Sequence, residues 1–145
     1  MPKKHKEPYP EAQEIQKKYV HLQILKQQLS TLMQEKNSLN ERAVELTTTI
    51  DALKKLADVK KGEEMWSSLG SGAFVRSDIK DIDNVYVAAG AGLVTKETRE
   101  SGIEILSSRL AELQKIDEEF TAEINKLAEQ AAQIEAELQH AVENK

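Results

Sequence analysis

The sequence contains no cysteine, only three prolines and few aromatic residues, which make up 4% of its 145 positions. The absence of cysteine excludes disulfides, thiolate catalysis and thiolate metal sites. No segment approaches the roughly 20 apolar residues of a membrane-spanning helix. Residues 1–10 are basic and lack a following apolar stretch, so no signal peptide is predicted. We therefore expect a soluble cytoplasmic protein with a disordered tail over residues 1–10 and no membrane partner.

Charged residues, by contrast, are abundant at 31%, and the net charge is −5. Ala, Glu, Lys, Leu and Gln dominate the composition, which is typical of long solvated helices that share a narrow apolar seam. An acidic balance also makes the phosphate backbone of a nucleic acid a poor partner.

A heptad repeat extends from Glu11 to Ala57, a segment without glycine or proline. Leucine occupies five successive d positions, and a sustained spacing of 3.5 residues predicts a left-handed supercoil with a partner helix. The a positions are Ile15, Leu22, Leu29, Lys36, Ala43, Ile50 and Ala57, and the d positions are Lys18, Leu25, Leu32, Leu39, Leu46 and Leu53.

A second helix of nearly equal length is predicted from Lys96 or Thr98 to Val142, with Thr98 as the candidate N-cap. Equal lengths predict that the two helices pair with each other, antiparallel, within one chain. Its a positions are Ile103, Leu110, Asp117, Ile124, Ala131 and Leu138, and its d positions are Leu106, Leu113, Phe120, Leu127, Ile134 and Ala141.

Each seam contains one ionisable residue well inside it, Lys36 in the first helix and Asp117 in the second. Placing Leu39 opposite Asp117 brings Lys36 and Asp117 into adjacent layers, so we predict a contact between their side chains. Such a pair specifies register at some cost in stability. The alternative is that both side chains bend out of the seam into water.

Between the helices the periodicity changes to two. Short strands are predicted at Met65–Leu69, Ala73–Ile79, Val85–Ala89 and Leu93–Thr95. Glycines that permit tight hairpin turns separate the first strand from the second and the third from the fourth, at Gly70, Gly72, Gly90 and Gly92.

The segments Leu69–Arg76 and Ala89–Lys96 resemble each other at an offset of 20 residues. We therefore predict two consecutive β-hairpins, joined through the polar turn Asp78–Asn84. The predicted fold class is mainly α: a long antiparallel two-helix coiled coil with two hairpins between the helices. The predicted divisions are a tail (1–10), the first helix and linker (11–61), the hairpins (62–96) and the second helix (97–145).

Four short strands with few large apolar residues cannot form a stable sheet alone, and their edges remain open. Pairing with strands of other subunits resolves this, so the hairpins are predicted to mediate assembly. The candidate interface residues are Trp66, Phe74, Val75, Val85, Tyr86 and Val87. The alternative for some of them is packing onto the coiled coil of the same chain.

The segment from Glu64 to Arg76, followed by Ile79-Lys-Asp81, Val85-Tyr-Val87 and Gly90-Ala-Gly-Leu-Val94, resembles prefoldin. The presence of two hairpins resembles the α class of that family, since subunits of its β class have a single hairpin. Two positions depart from its usual pattern: Ser68 stands where proline is common, and Ala89 where a larger aliphatic residue is common.

The resemblance implies a non-enzymatic, ATP-independent chaperone subunit, without cofactor or metal, of an archaeal type. It implies a jellyfish-shaped hexamer with two α-class and four β-class subunits, whose coiled coils hold unfolded client proteins and pass them to a group II chaperonin.

Client binding is expected at the start of the first helix and the end of the second. The candidates within the seam are Ile15, Leu22, Ile134 and Leu138, and those outside it are Tyr19, Val20, Ile24 and Val142. Fraying of that end would expose the seam residues. The alternative, favoured for any single seam residue, is that it only completes the coiled coil.

Other sites fit the sequence poorly. Asp78, Asp81 and Asp83 lack the glycine and closing glutamate of an EF-hand, and the Gly-x-Gly steps lack the ending of a phosphate-binding loop. A metal pair of His21 and His140 is disfavoured, and no catalytic arrangement is visible. Two rival functions stay open: a coiled-coil arm that binds nucleic acid, which the acidic second helix disfavours, and a structural spacer, which leaves the hairpins unexplained.

Overall fold

The computed structural model describes residues 10–143 and has the predicted order of helix, two hairpins and helix. The elements are α1 (Pro10–Lys55), a 3-10 turn (Leu56–Asp58), β1 (Glu64–Gly70), β2 (Ala73–Asp78), β3 (Asn84–Gly90), β4 (Leu93–Thr98) and α2 (Arg99–Glu143). The predicted fold class is confirmed. The tail predicted for residues 1–10 lies outside the described residues except for Pro10, where α1 begins. No helix in the described part of the chain is long and apolar enough to cross a membrane.

The exposure of α1 follows the heptad assignment closely. Every a and d position from Ile15 to Leu53 is buried or half-buried, and every other position from 11 to 55 is exposed. The assignment is wrong at its last position. Ala57 is exposed and Leu56 is half-buried instead, because the chain has passed into the 3-10 turn, where the helical period no longer holds.

The start of α2 is fixed by a side-chain cap. The hydroxyl of Thr98 accepts a hydrogen bond from the backbone N–H of Ser101 at 3.0 Å, which confirms Thr98 as the N-cap. The alternative start at Lys96 is wrong, because Lys96 still pairs with Tyr86 in the sheet ladder. All predicted a and d positions of α2 are buried or half-buried.

Two antiparallel hairpins, β1–β2 and β3–β4, share one register at an offset of 20 residues, as their sequence similarity predicts. Trp66 lies opposite Arg76, and Tyr86 lies opposite Lys96. Each hairpin turns through two residues of positive φ, Ser71–Gly72 and Ala91–Gly92, the pattern of the turns that match strand twist.

The chain divides into two compact units, which we call the terminal unit (residues up to 40 and from 115) and the hairpin unit (41–114). Each unit has its own apolar core. That of the terminal unit is formed by Leu22, Leu25, Leu127, Ala131, Ile134 and Leu138. That of the hairpin unit is formed by Ile50, Val87 and Leu106, with half-buried neighbours that include Leu53, Val85 and Ile103.

Candidate functional site

Ion pairs join the two helices of the terminal unit. The Lys36 ammonium lies 2.8 Å from the Asp117 carboxylate, which confirms the predicted contact inside the seam. Their side chains keep 28% and 30% of their exposure, so water still reaches the pair. Two further pairs, Lys18–Glu137 at 3.2 Å and Lys26–Glu135 at 3.1 Å, connect the helices nearer the chain termini. All three pairs are compatible with a single register of α1 and α2 within this unit.

The predicted client-binding residues separate into two groups of four. Those of the seam are shielded: Leu22, Ile134 and Leu138 are buried in the core of the terminal unit, and Ile15 packs against it. Those outside the seam are exposed over about half of their surface: Tyr19, Val20, Ile24 and Val142. An apolar contact surface is therefore present while the seam stays closed.

The exposed group of four lies on two different surfaces. Tyr19 and Val142 border a groove between the helices, which we call the lateral groove; its remaining lining residues are Leu22, Glu135, Leu138 and Gln139. Val20 and Ile24 lie on α1 alone, in a shallow depression shared with Gln13, Gln16, Lys17 and His21. Since positions c and f of the heptad point away from the partner helix, we call Lys17, Val20 and Ile24 the α1 stripe.

The first hairpin exposes apolar side chains on both of its faces. Trp66 is 68% exposed and lies beside Phe74, with 6.2 Å between the ring centres. Arg76 pairs with Glu64 at 2.7 Å on the same face, and the opposite face exposes Met65 and Val75. Neither core cluster of the described residues includes a residue of β1 or β2. A two-stranded hairpin with so little support is marginal alone, which favours a partner on these faces.

The second hairpin differs from the first in that one of its faces packs against the apolar core of the hairpin unit. Val87 is buried with Ile50 and Leu106, and Val85 packs against the same cluster. For these two candidate interface residues, the structure shows the alternative of packing within the chain. Tyr86, on the other face, is 71% exposed.

Three residues that sequence reasoning missed attach the second hairpin and the joint before it to α2. A Cβ added to Gly102 would lie 2.7 Å from a methyl carbon of Val85, so only glycine lets β3 approach this closely. Arg109 donates to the carbonyl of Ala88 at 2.6 Å, and Arg99 donates to the carbonyl of Ile82 at 2.8 Å. An isolated glycine inside a helical pattern is the signal that would have revealed this contact.

The joint between the hairpins is organised by Asp81. Its carboxylate accepts hydrogen bonds from the backbone N–H groups of Asp83 and Asn84 and from the Asn84 side-chain amide. The hydrogen bond from the Asn84 side chain, and to a lesser extent the two backbone bonds, lower the pKa of Asp81 below its ordinary value. The polar turn predicted here is confirmed. Among residues 10–143 no group of three or more His, Asp or Glu side chains is arranged to hold a metal ion.

These features define a class: coiled-coil proteins in which two hairpins separate two long helices along the chain and the outer strand edges stay unpaired. The family model described as prefoldin subunit matches residues 25–144. The chain therefore belongs to the prefoldin family, whose members are chaperone subunits and not enzymes.

Similar proteins place the chain within that family. It is 35% identical over 115 residues to prefoldin subunit alpha of Methanosarcina barkeri, covering 78% of this chain and 77% of that protein. Alpha subunits of other archaea match as well, so the chain is of the archaeal α type.

Solved structures share the fold at low sequence identity. The chain is similar to filamentous PFD from Methanocaldococcus jannaschii, with a TM-score of 0.70, 20% identity and coverage of 80% of this chain and 96% of that one. It is also similar to the prefoldin beta subunit from Thermococcus strain KS-1, with a TM-score of 0.58, 17% identity and coverage of 88% and 91%.

Proposed function

We propose that this chain is an α subunit of a cytoplasmic hexamer with two α-type and four β-type prefoldin subunits. Its terminal unit binds apolar segments of non-native proteins without ATP, and the complex passes them to a group II chaperonin. The observation that carries the proposal is the set of four half-exposed apolar side chains, Tyr19, Val20, Ile24 and Val142, on a unit whose seam is closed.

The proposed client contact needs only modest affinity per subunit. Full burial of one large apolar side chain contributes about 1.5–3 kcal/mol, and these four have about half of their surface left to bury. Several subunits that bind the same client together raise its residence time without requiring a specific sequence. This combination suits a chaperone that must hold many different unfolded chains.

The open strands support the proposed assembly with β-type subunits. Both faces of the first hairpin and one face of the second expose apolar groups such as Trp66, Phe74 and Tyr86. Pairing with strands from other subunits would cover these groups and satisfy the unpaired strand edges.

The proposal is tested by replacing two of the exposed residues, Tyr19→Ser together with Ile24→Ser, in the complex assembled with a β-type subunit. We expect a large loss of the ability to suppress aggregation of a chemically denatured client, followed by light scattering. Native mass measurement should show an intact oligomer, because both residues lie outside the hairpins.

A matched control is Val44→Ser, which removes an exposed apolar residue of α1 in the hairpin unit instead of the terminal unit. It should leave suppression unchanged. If the double variant suppresses aggregation as well as the parent complex, clients are held elsewhere and the proposed role of this surface is wrong. Transfer of labelled client to a group II chaperonin, compared for the same variants, tests delivery.

A further inference from the structure

The α1 stripe lies in the longest part of α1 that has no carboxylate. Residues 15–34 contain no Asp or Glu, but they contain three lysines and a histidine. The facing part of α2 has the opposite character, with eight acidic and two basic residues between 115 and 143. The stripe is thus an apolar surface with a local positive charge on an otherwise acidic chain.

The three lysines of this segment are not equivalent. Lys18 and Lys26 are neutralised by Glu137 and Glu135 across the seam. Lys17 is exposed and forms no ion pair with any residue from 10 to 143. Because residues three and seven positions apart share one side of a helix, Lys17 is aligned with Val20 and Ile24. Glu14, three residues before Lys17, also lies near this side but forms no ion pair with it, so the Lys17 ammonium can meet a client anion.

From this charge pattern we infer that the α1 stripe selects client segments in which apolar residues are flanked by carboxylates. The client's apolar side chains contact Val20 and Ile24, and a neighbouring Asp or Glu pairs with Lys17. This inference rests on the proposed function and adds to it the class of segment that the stripe prefers.

At physiological salt, a charge on a docked segment responds chiefly to the charged groups nearest to it. Exposed charges more than about 8 Å apart are largely screened at 0.15 M ionic strength. The many carboxylates of α2 lie on the partner helix, whereas a segment docked on the stripe is adjacent to Lys17. A net charge of −5 by itself would favour basic segments. A preference for acidic ones therefore distinguishes local recognition from the field of the whole chain.

The absence of cysteine allows a direct test at the stripe. A Gln16→Cys chain is labelled with an environment-sensitive dye and then assembled with unlabelled β-type subunits, so only contacts beside the stripe change its fluorescence. Three peptides with identical apolar residues, flanked by two Glu, two Gln or two Lys, are titrated at 0.15 M salt.

We expect the Glu peptide to bind about two- to fivefold more tightly than the Gln peptide, because an exposed ion pair raises affinity only modestly. The Lys peptide should bind less tightly than both. At 1 M salt the three curves should converge. Lys17→Glu should reverse the order, whereas Lys17→Arg should retain it. Val20→Ser with Ile24→Ser should abolish the response to all three peptides.

Equal affinities, or tighter binding of the Lys peptide, would overturn the inference even if aggregation is still suppressed. No dye response to any peptide, with suppression intact, would also overturn it and would leave the proposed function standing. A changed oligomer mass in the Val20→Ser, Ile24→Ser variant would identify the stripe as an assembly contact instead. Failure of the proposed function has a different signature, unchanged suppression in the Tyr19→Ser, Ile24→Ser complex.

Discussion

A lysine and an aspartate inside an apolar seam differ in how easily each reaches water. The long stem of Lys36 can bend outward and keep its ammonium solvated, whereas the short side chain of Asp117 holds its carboxylate near the backbone. The Lys36 ammonium and the Asp117 carboxylate are paired with each other at 2.8 Å. Removing the lysine therefore leaves a carboxylate that stays near the seam without a partner, whereas removing the aspartate leaves an ammonium that can bend out into water.

This asymmetry gives a prediction for three variants. Lys36→Leu should destabilise the chain by about 0.5–2 kcal/mol, Asp117→Leu should change stability less, and the double variant should equal or exceed the parent because it fills the seam with apolar groups. Denaturant unfolding of the assembled complex, followed by circular dichroism, measures the order. If Lys36→Leu alone is as stable as the double variant, the pair contributes nothing to the seam.

Asp81 gives a prediction for pH. Its pKa is lowered from 3.8, chiefly by the hydrogen bond from the Asn84 side chain. A lowered folded-state pKa means that the ionised carboxylate stabilises the joint above the ordinary pKa of an aspartate. This contribution is lost as the pH falls through the folded-state pKa. We expect a carboxyl titration by NMR with a midpoint below 3.8, and Asn84→Ala should raise it. A midpoint unaffected by Asn84→Ala would contradict this assignment of the cause.

At the scale of elements, the contact between β3 and α2 depends on Gly102. Glycine normally costs a helix about 1 kcal/mol relative to alanine, so Gly→Ala inside a helix is ordinarily stabilising. Here the added Cβ would meet Val85 at 2.7 Å. We predict a net loss, because overpacking costs about 1–3 kcal/mol and Val85, part of a strand, cannot move freely.

The matched variant is Gly102→Ala with Val85→Ala, which provides room for the new methyl group. The double variant should lose less free energy of unfolding than the two single variants lose in sum. Thermal unfolding and hydrogen exchange of the β3 amides measure this difference. A Gly102→Ala chain that is stabilised by the full helix-propensity gain would show that the close approach is not maintained in solution.

Helix and strand positions could be predicted from the sequence because their signals are local. The spacing of Leu25, Leu32 and Leu39 determines which side of α1 is shielded, and two glycine-containing turns determine the hairpins. Which hairpin packs on the helices could not be predicted, because the two are similar in sequence. That difference depends on Gly102 and Arg109, which act on residues distant in the chain.

The candidate site was predicted less completely for a related reason. Heptad position distinguishes Leu22, which lies in the seam, from Val20, which does not. The exposure of Val20 could therefore be predicted from the sequence. Heptad position does not indicate whether the seam opens to a client, which depends on the energy of contacts such as Lys36–Asp117. The ion pairs of Lys18 with Glu137 and of Lys26 with Glu135 were likewise not foreseen, because the predicted register gives the layers that face each other but not which carboxylate a long side chain reaches.

At the scale of the whole molecule, assembly can be followed through the only tryptophan of the chain, Trp66, which is 68% exposed. Mixing with a β-type subunit that lacks tryptophan should shift its emission to shorter wavelength as partner strands cover it. Trp66→Ser should weaken assembly by about 2 kcal/mol, about thirtyfold, as expected for a central aromatic contact.

The control for this experiment is the Tyr19→Ser, Ile24→Ser chain, which should show the same spectral shift as the parent because its hairpins are unchanged. Native mass measurement gives the stoichiometry of the product. Assembly without any change in Trp66 emission would place the subunit contact on a different surface, such as the exposed face around Tyr86.

The first hairpin has a consequence for the life of the chain before assembly. In the proposed assembly partner strands cover this hairpin, so its open edges and its exposed Trp66 and Phe74 would distinguish an unassembled subunit from an assembled one. A cell that makes α-type chains in excess is therefore expected to clear the surplus, because proteases cleave weakly held hairpins readily. If this surface builds the complex as proposed, it also determines the proportion in which the subunits survive.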